Sequence, residues 1–184
     1  MMKNLLLLSI LAFSIQSCEE EQSIIPDVYW GEVSATKNGQ PWSGLIYAQP
    51  NEPYGYGFSI SIDVYNKQEF LRESLHIAKI PYEFGRNRID TLGIRVDTLL
   101  TAASYATLVN DGDILGDLFK VYEGETESFI SITSYNEKTG EVSGDFEVIF
   151  VFGEGVVGTK SDPTAPDTVR FANGKFRTKI RELP

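Results

Sequence analysis

Few residues of this chain have types and spacings suited to chemistry. His76 is the single histidine and Cys18 the single cysteine. With Cys18 assigned below to another role, there is no Cys-His pair for nucleophilic catalysis and no His/Cys cluster for zinc or iron. A Ser-His-Asp arrangement needs His76 beside a serine on a sharp turn, and no Gly-x-Ser-x-Gly occurs. The run from Gly153 to Gly158 spells a dinucleotide fingerprint, but no helical pattern follows it and Glu154 would face a pyrophosphate. Asp111, Asp113 and Asp117, with Asn110 and Gly112 among them, offer the oxygen ligands that Ca²⁺ takes. Against an EF-hand, Leu115 stands where an oxygen ligand belongs and Tyr122 where the closing glutamate should be. A polar hairpin turn is therefore expected there, and neither metal nor cofactor. Glu123, Glu125 and Glu127 are carboxylates of the kind that flank a glycosidic bond in hydrolases, although such a run at a strand end is more often a solvated face. The best binding candidates are rings. Tyr54 and Tyr56 on a glycine-supported loop, with Trp42, are suited to stacking on sugars or partner side chains, whereas Phe58 beside them reads as core.

The surroundings of Cys18 give that residue its meaning. Upstream lie Lys3 and an apolar run from Leu5 to Phe13, long enough for a secretion signal and too short to span a membrane. Residues 1–17 read as that signal. A small Ser17 directly before Cys18, with aliphatic Ile15 two places further back, resembles the lipobox of bacterial lipoproteins, in which the cysteine is acylated and becomes the new N-terminus. An exported chain with one cysteine cannot form an internal disulfide, and acylation with palmitate-type chains removes the stray thiol. Acyl chains contribute about 0.8 kcal/mol per buried CH2, and two or more hold a protein on a bilayer.

Residues 18–27 are acidic and polar, close with Pro26, and read as a tether that, fully extended, reaches roughly 30 Å. The acids Glu19, Glu20 and Glu21 resemble the export signal of surface lipoproteins in Bacteroidota. The expected location is the outer membrane, lipid-anchored; the cell exterior is the face that an export signal would imply, and a solvated spacer with no sorting role is the other reading of the same acids.

Composition bounds the rest. Removing residues 1–17 takes away one lysine and no acid, so the formal charge moves from −10 to −11. Such a surface repels phosphate backbones and anionic headgroups, which argues against nucleic acid as a partner. Residues 28–184 are enough for one domain that buries about 70 per cent of its unfolded surface without staples.

Patterning within that domain is that of strands. Tyr29 to Lys37 alternates and runs into Asn38-Gly39, the strongest short hairpin signal, with a return strand from Trp42 to Gln49. Phe58 to Tyr65 alternates with Phe58, Ile60, Ile62 and Val64 on one side. Phe70 to Ile80 fits either a helix or a strand, and its shortness and Pro81 favour the strand. From Arg86 to Leu100 the pattern is weak. Short strands are expected at Ser104–Val109, Leu118–Tyr122 and Phe129–Tyr135, followed by a hairpin at Asn136–Gly140 and strands over Glu141–Phe152 and Thr168–Ile180. Phe146 is in phase with Val148 and Phe150. Phe176 matches Phe171 only if a bulge at Asn173-Gly174 shifts the register by one. The fold class expected is all-β, an antiparallel β-sandwich or a squat β-barrel.

The run from Ala35 to Trp42, Ile130 to Tyr135, Val142 to Phe146 and Phe171 to Phe176 together resemble a family of uncharacterised Bacteroidota lipoproteins built from one all-β domain. That resemblance implies no activity and no site residues. The functional expectation is a lipid-anchored, non-catalytic envelope protein that binds a glycan or an envelope protein or acts as a scaffold, with a surface glycan hydrolase or other envelope enzyme as the alternative.

Overall fold

The computed structural model describes residues 25–51, 56–91, 100–124, 127–155 and 159–181. These contain strands and turns and no helix. Twelve strands form one sheet: β1 (Gly31–Lys37), β2 (Gln40–Ser43), β3 (Leu45–Pro50), β4 (Phe58–Tyr65), β5 (Leu71–Ile80), β6 (Gly85–Arg88), β7 (Asp90–Thr91), β8 (Ala102–Val109), β9 (Ile114–Val121), β10 (Phe129–Asn136), β11 (Glu141–Gly155) and β12 (Thr168–Lys179). All strand pairings are antiparallel except the short β7–β8 contact, and an isolated parallel bridge joins Ala48 to Ile180.

The sheet curls until it nearly closes into a barrel. Around it run β1, β12, β11, β9, β8, β5, β4 and β3. At the seam, Trp30 donates its N–H to the Ile46 carbonyl (2.9 Å) and Arg181 donates to the Ala48 carbonyl (3.0 Å). Near-closure pairs edges that an open sheet would expose, leaving β2 and β6 each with one neighbouring strand. Of the two architectures expected from the sequence, the squat barrel is the better description.

The Asn38-Gly39 turn forms as its residues require, with φ of 50° and 80°. The return strand does not run unbroken from Trp42 to Gln49. It splits at Gly44, where β2 stays with β1 and β3 departs to pair with β4. A Cβ at Gly44 would lie 2.8 Å from the Asp63 carbonyl oxygen, so glycine permits the close crossing. Phe70 to Ile80 resolves as strand β5, one residue shorter than expected.

Inside the barrel the alternation of each strand delivers large side chains. Phe58, Phe119, Phe146, Phe150, Phe171 and Tyr105 are all buried, and Tyr105 lies 5.3–5.8 Å, ring to ring, from Phe119, Phe150 and Phe171. One end is covered by β10 and β6, which carry Ile130, Ile132 and neighbouring Ile89 into the same core. They reach it because long β11 pairs with β10 through its first half and with β9 through its second.

Two short motifs fix where β11 and β12 meet. Gly144 stands opposite Phe176 and Phe146 opposite Gly174. A Cβ on Gly174 would lie 2.6 Å from the Phe146 ring, and one on Gly144 would lie 2.8 Å from the Phe176 ring. Each ring thus covers the other strand's glycine. The register shift follows at once, as Asn173 takes φ of 53° and the next paired position joins Val148 to Phe171. The bulge allows both Phe171 and Phe176 to be buried. Phe146→Ala should cost roughly 3–5 kcal/mol, read from urea midpoints at constant slope. A loss below about 1 kcal/mol would mean that the ring is not held in the core as described.

Candidate functional site

Large apolar side chains gather in the interior, and the polar groupings lie toward the surface. Three polar groupings stand out there. At the end of the barrel near the β1–β2 turn, Lys37 Nζ lies 2.7 Å from Glu73 Oε1 and donates to the Tyr105 hydroxyl at 2.9 Å. Trp42 Nε1 donates to the other Glu73 oxygen at 3.0 Å, and the indole meets Phe171 edge-on at 4.7 Å. Burial, reinforced by the charge of Glu73, pushes the Tyr105 phenol far above its usual range. This grouping closes the barrel mouth, and Trp42 is part of the closure rather than a free stacking surface.

On the outer wall, Tyr29 lies across β3 and β4. Its hydroxyl donates to Asp63 Oδ2 (2.7 Å) and meets the Tyr65 hydroxyl (2.8 Å), while its ring packs edge-on against Tyr47 at 5.5 Å. Burial, with the hydroxyl of Tyr65 and then the carboxylate of Asp63 beside it, raises the Tyr29 phenol well above normal. Thr178 Oγ1 donates to the Trp30 carbonyl at 2.7 Å, and Arg181 donates to the Val28 carbonyl. Residues 28–30 are thereby sewn into the barrel seam. Next to it, Ser61 and His76 face each other across β4–β5, with Oγ and Nδ1 2.9 Å apart. Ser61 is 5 % exposed and sits in a regular strand, so the pair holds the sheet face together and offers no attacking hydroxyl. Burial lowers the His76 pKa, against the opposing charge of Asp63.

The third grouping is a cleft. About 290 Å³ of space opens among Arg88, Asp90, Tyr122, Glu123, Glu127 and neighbouring backbone. The β6 alternation places Arg86 and Arg88 at the strand edge, and Asp90 follows in the same phase. Arg88 Nε lies 3.3 Å from Asp90 Oδ1. Arg86 lies 3.6 Å from Glu127 Oε2 and stacks 3.6 Å over the Phe129 ring. Tyr122 is held through its N–H to the Ile149 carbonyl at 2.8 Å, and its ring rests on Gly124, where a Cβ would lie 2.1 Å from the ring atoms. These contacts fix a guanidinium, two carboxylates and a half-exposed ring around one opening. Glu123 is exposed there and has no ion-pair partner among the described residues.

The residues picked out by sequence scatter. Cys18, Tyr54 and Glu125 lie outside the described residues. Tyr56 is half-buried, and its carbonyl accepts from Asn51 Nδ2 at 3.3 Å. Asp111 and Asp113 are exposed on the β8–β9 turn, where hydrogen bonding between their carboxyls holds Asp111 below and Asp113 above the usual range. Asp117 is buried and accepts from the Ser161 N–H at 2.6 Å, tying down the β11–β12 connection. Among the described residues no three His, Cys, Asp or Glu side chains gather closely enough to hold a metal ion. Glu123 and Glu127 do come together in the cleft. Arg88 and Asp90 were missed, and the signal available was the two-residue spacing of Arg86, Arg88 and Asp90 in an otherwise weak stretch.

Compared with family models, curated proteins and solved structures, the chain matches none.

The buried groups predict how stability varies with pH. His76 binds its proton more weakly folded than unfolded, so stability falls as the pH drops below about 6.5, the unfolded value, and the loss is complete once the folded value is passed. Tyr29 and Tyr105 are raised, so stability is also lost above about pH 10, where unfolded tyrosines ionise. Thermal midpoints of wild type and His76→Gln should converge on acidification from neutral pH. Parallel curves would contradict the assignment of the acid limb to His76.

Proposed function

We propose that this protein is a lipid-anchored, non-catalytic binding domain of the cell envelope, held in the outer membrane through acylated Cys18 and facing the cell exterior. The observation that carries this reading is the open, polar cleft at the surface of a barrel whose interior holds large apolar side chains. Arg88 and Asp90, and Arg86 and Glu127, contact each other before any ligand arrives, which lowers the entropy lost on binding. The manner in which residues 28–30 join the seam supports the anchoring half. A pull on the tether is taken up by the hydrogen bonds of Val28, Tyr29 and Trp30 with β3, β4 and the end of β12. The family of all-β Bacteroidota lipoproteins suggested by the sequence motifs accords with this reading.

The alternative, a surface glycan hydrolase, is favoured by one feature: Glu123 and Glu127 share the cleft, and paired carboxylates are what glycoside hydrolysis uses. Release of reducing ends from cell-surface polysaccharide, abolished by both Glu123→Gln and Glu127→Gln, would establish the enzyme and overturn the binding reading.

For the anchor, Cys18→Ala should leave the precursor uncut at that site and move the protein out of the membrane fraction. A variant that is processed normally and stays membrane-bound would remove the lipid assignment.

A further inference from the structure

We infer that the cleft beside Tyr122 takes a single ring of a neutral sugar, stacked on that tyrosine with its hydroxyls bonded to Arg88, Asp90 and Glu123. This rests on the reading of the protein as a binding domain and names the ligand class for its cleft. Three properties of the cleft select the ligand. The first is size. A volume of about 290 Å³ is at the foot of the roughly 300–1,000 Å³ range of small-molecule pockets, suited to one ring with its neighbours outside.

Charge is the second. Arg88 is matched by Asp90 and Glu127 by Arg86, which leaves Glu123, among the described residues lining the cleft, as the carboxylate without an opposite charge. A phosphate or carboxylate ligand would meet three acids. A polycation would meet Arg88 in the wall and Arg86 close behind. An uncharged ligand rich in hydroxyls avoids both conflicts, since Asp90 and Glu123 accept hydrogen bonds and the remaining guanidinium N–H groups donate them.

The third property is the ring. Tyr122 is 43 % exposed although large and apolar, and Gly124 gives it a place to lie flat against the loop. A tyrosyl ring presents area at little entropic cost, and its face suits the C–H side of a sugar. Gly124 has no positive φ that would itself demand glycine. The close approach of the Tyr122 ring is therefore the reason visible for glycine at this position.

The test uses the full-length lipidated protein in a detergent without a sugar headgroup, applied to an array of immobilised glycans, with spermidine as a cationic control. At least one glycan should bind, with affinity little changed in Tyr122→Phe. Binding should be at least about tenfold weaker in Tyr122→Ala, equivalent to about 1.4 kcal/mol. Gly124→Ala, which keeps the tyrosine and displaces its ring, should match Tyr122→Ala. A blank array, or glycan binding indifferent to both substitutions, would overturn the inference. Binding of spermidine that Glu123→Gln abolishes would also overturn it, while leaving the cleft as a binding site.

Discussion

The contact on which the structure turns is the reciprocal one between two glycines and two phenylalanines. In an antiparallel pair a glycine leaves a gap on the sheet face, and a ring from the opposite strand can fill it. Here the exchange is mutual, because Phe146 lies over Gly174 and Phe176 lies over Gly144. Only one register satisfies both at once. That register forces the extra residue around Asn173, and the bulge returns Phe171 to the interior against Tyr105 and Phe150. It also leaves Gly144 close against the Ser131 carbonyl, so that β10 can approach β11 on its other edge. From β10 hangs β6, and on the adjoining turns of β6 and β10 sits the cleft. The interlock therefore links core packing to the position of the candidate site.

A barrel filled by rings has two ends to close, and this one closes them differently. The end carrying β10 and β6 is covered by aliphatic side chains on strands. The opposite end is closed by charge, with Lys37 and Glu73 joining β1 to β5 over the Tyr105 hydroxyl. A partly buried ion pair adds little net stability on its own. Its effect here is to satisfy a phenol that the ring cluster has drawn to the barrel mouth. Tyr29 and Asp63 do the same on the outer wall less completely, since Asp63 Oδ1 is buried without a hydrogen-bond partner among the described residues. The other oxygen, Oδ2, accepts from Tyr29 and so holds the stretch that leads into β1.

Most strands were legible in the sequence because one face of each is buried, and burial on one face writes a two-residue period. Phe58, Ile60 and Ile62 announced β4, although Ser59, Ser61 and Asp63 on its other face are buried as well, which no alternation signals. The Asn173-Gly174 bulge was legible because Phe171 and Phe176 are five apart and both belong inside. The split at Gly44 was not, since it depends on how closely the chain passes Asp63, a residue of another strand. The cleft was half legible. Glu123 and Glu127 stood out as a run of acids, whereas Arg88 and Asp90 join them only through the pairing of β6 with β10, a contact between residues some 40 apart in sequence. The contacts of Trp42 were not legible for a related reason, since Phe171 and Glu73 are brought to it only by tertiary folding.

The interlock itself is open to direct measurement by a double-mutant cycle on Gly174→Ala and Phe146→Leu, with unfolding free energies from urea titrations. Gly174→Ala alone should destabilise by about 1–3 kcal/mol, as overpacking does. With the ring gone, the added methyl should meet far less resistance, so the double variant should be more stable than the sum of the single losses requires, by about 0.5–3 kcal/mol. Losses that add to within about 0.3–0.5 kcal/mol would show that Gly174 and Phe146 do not press on one another, and the account of how this barrel sets its register would fail.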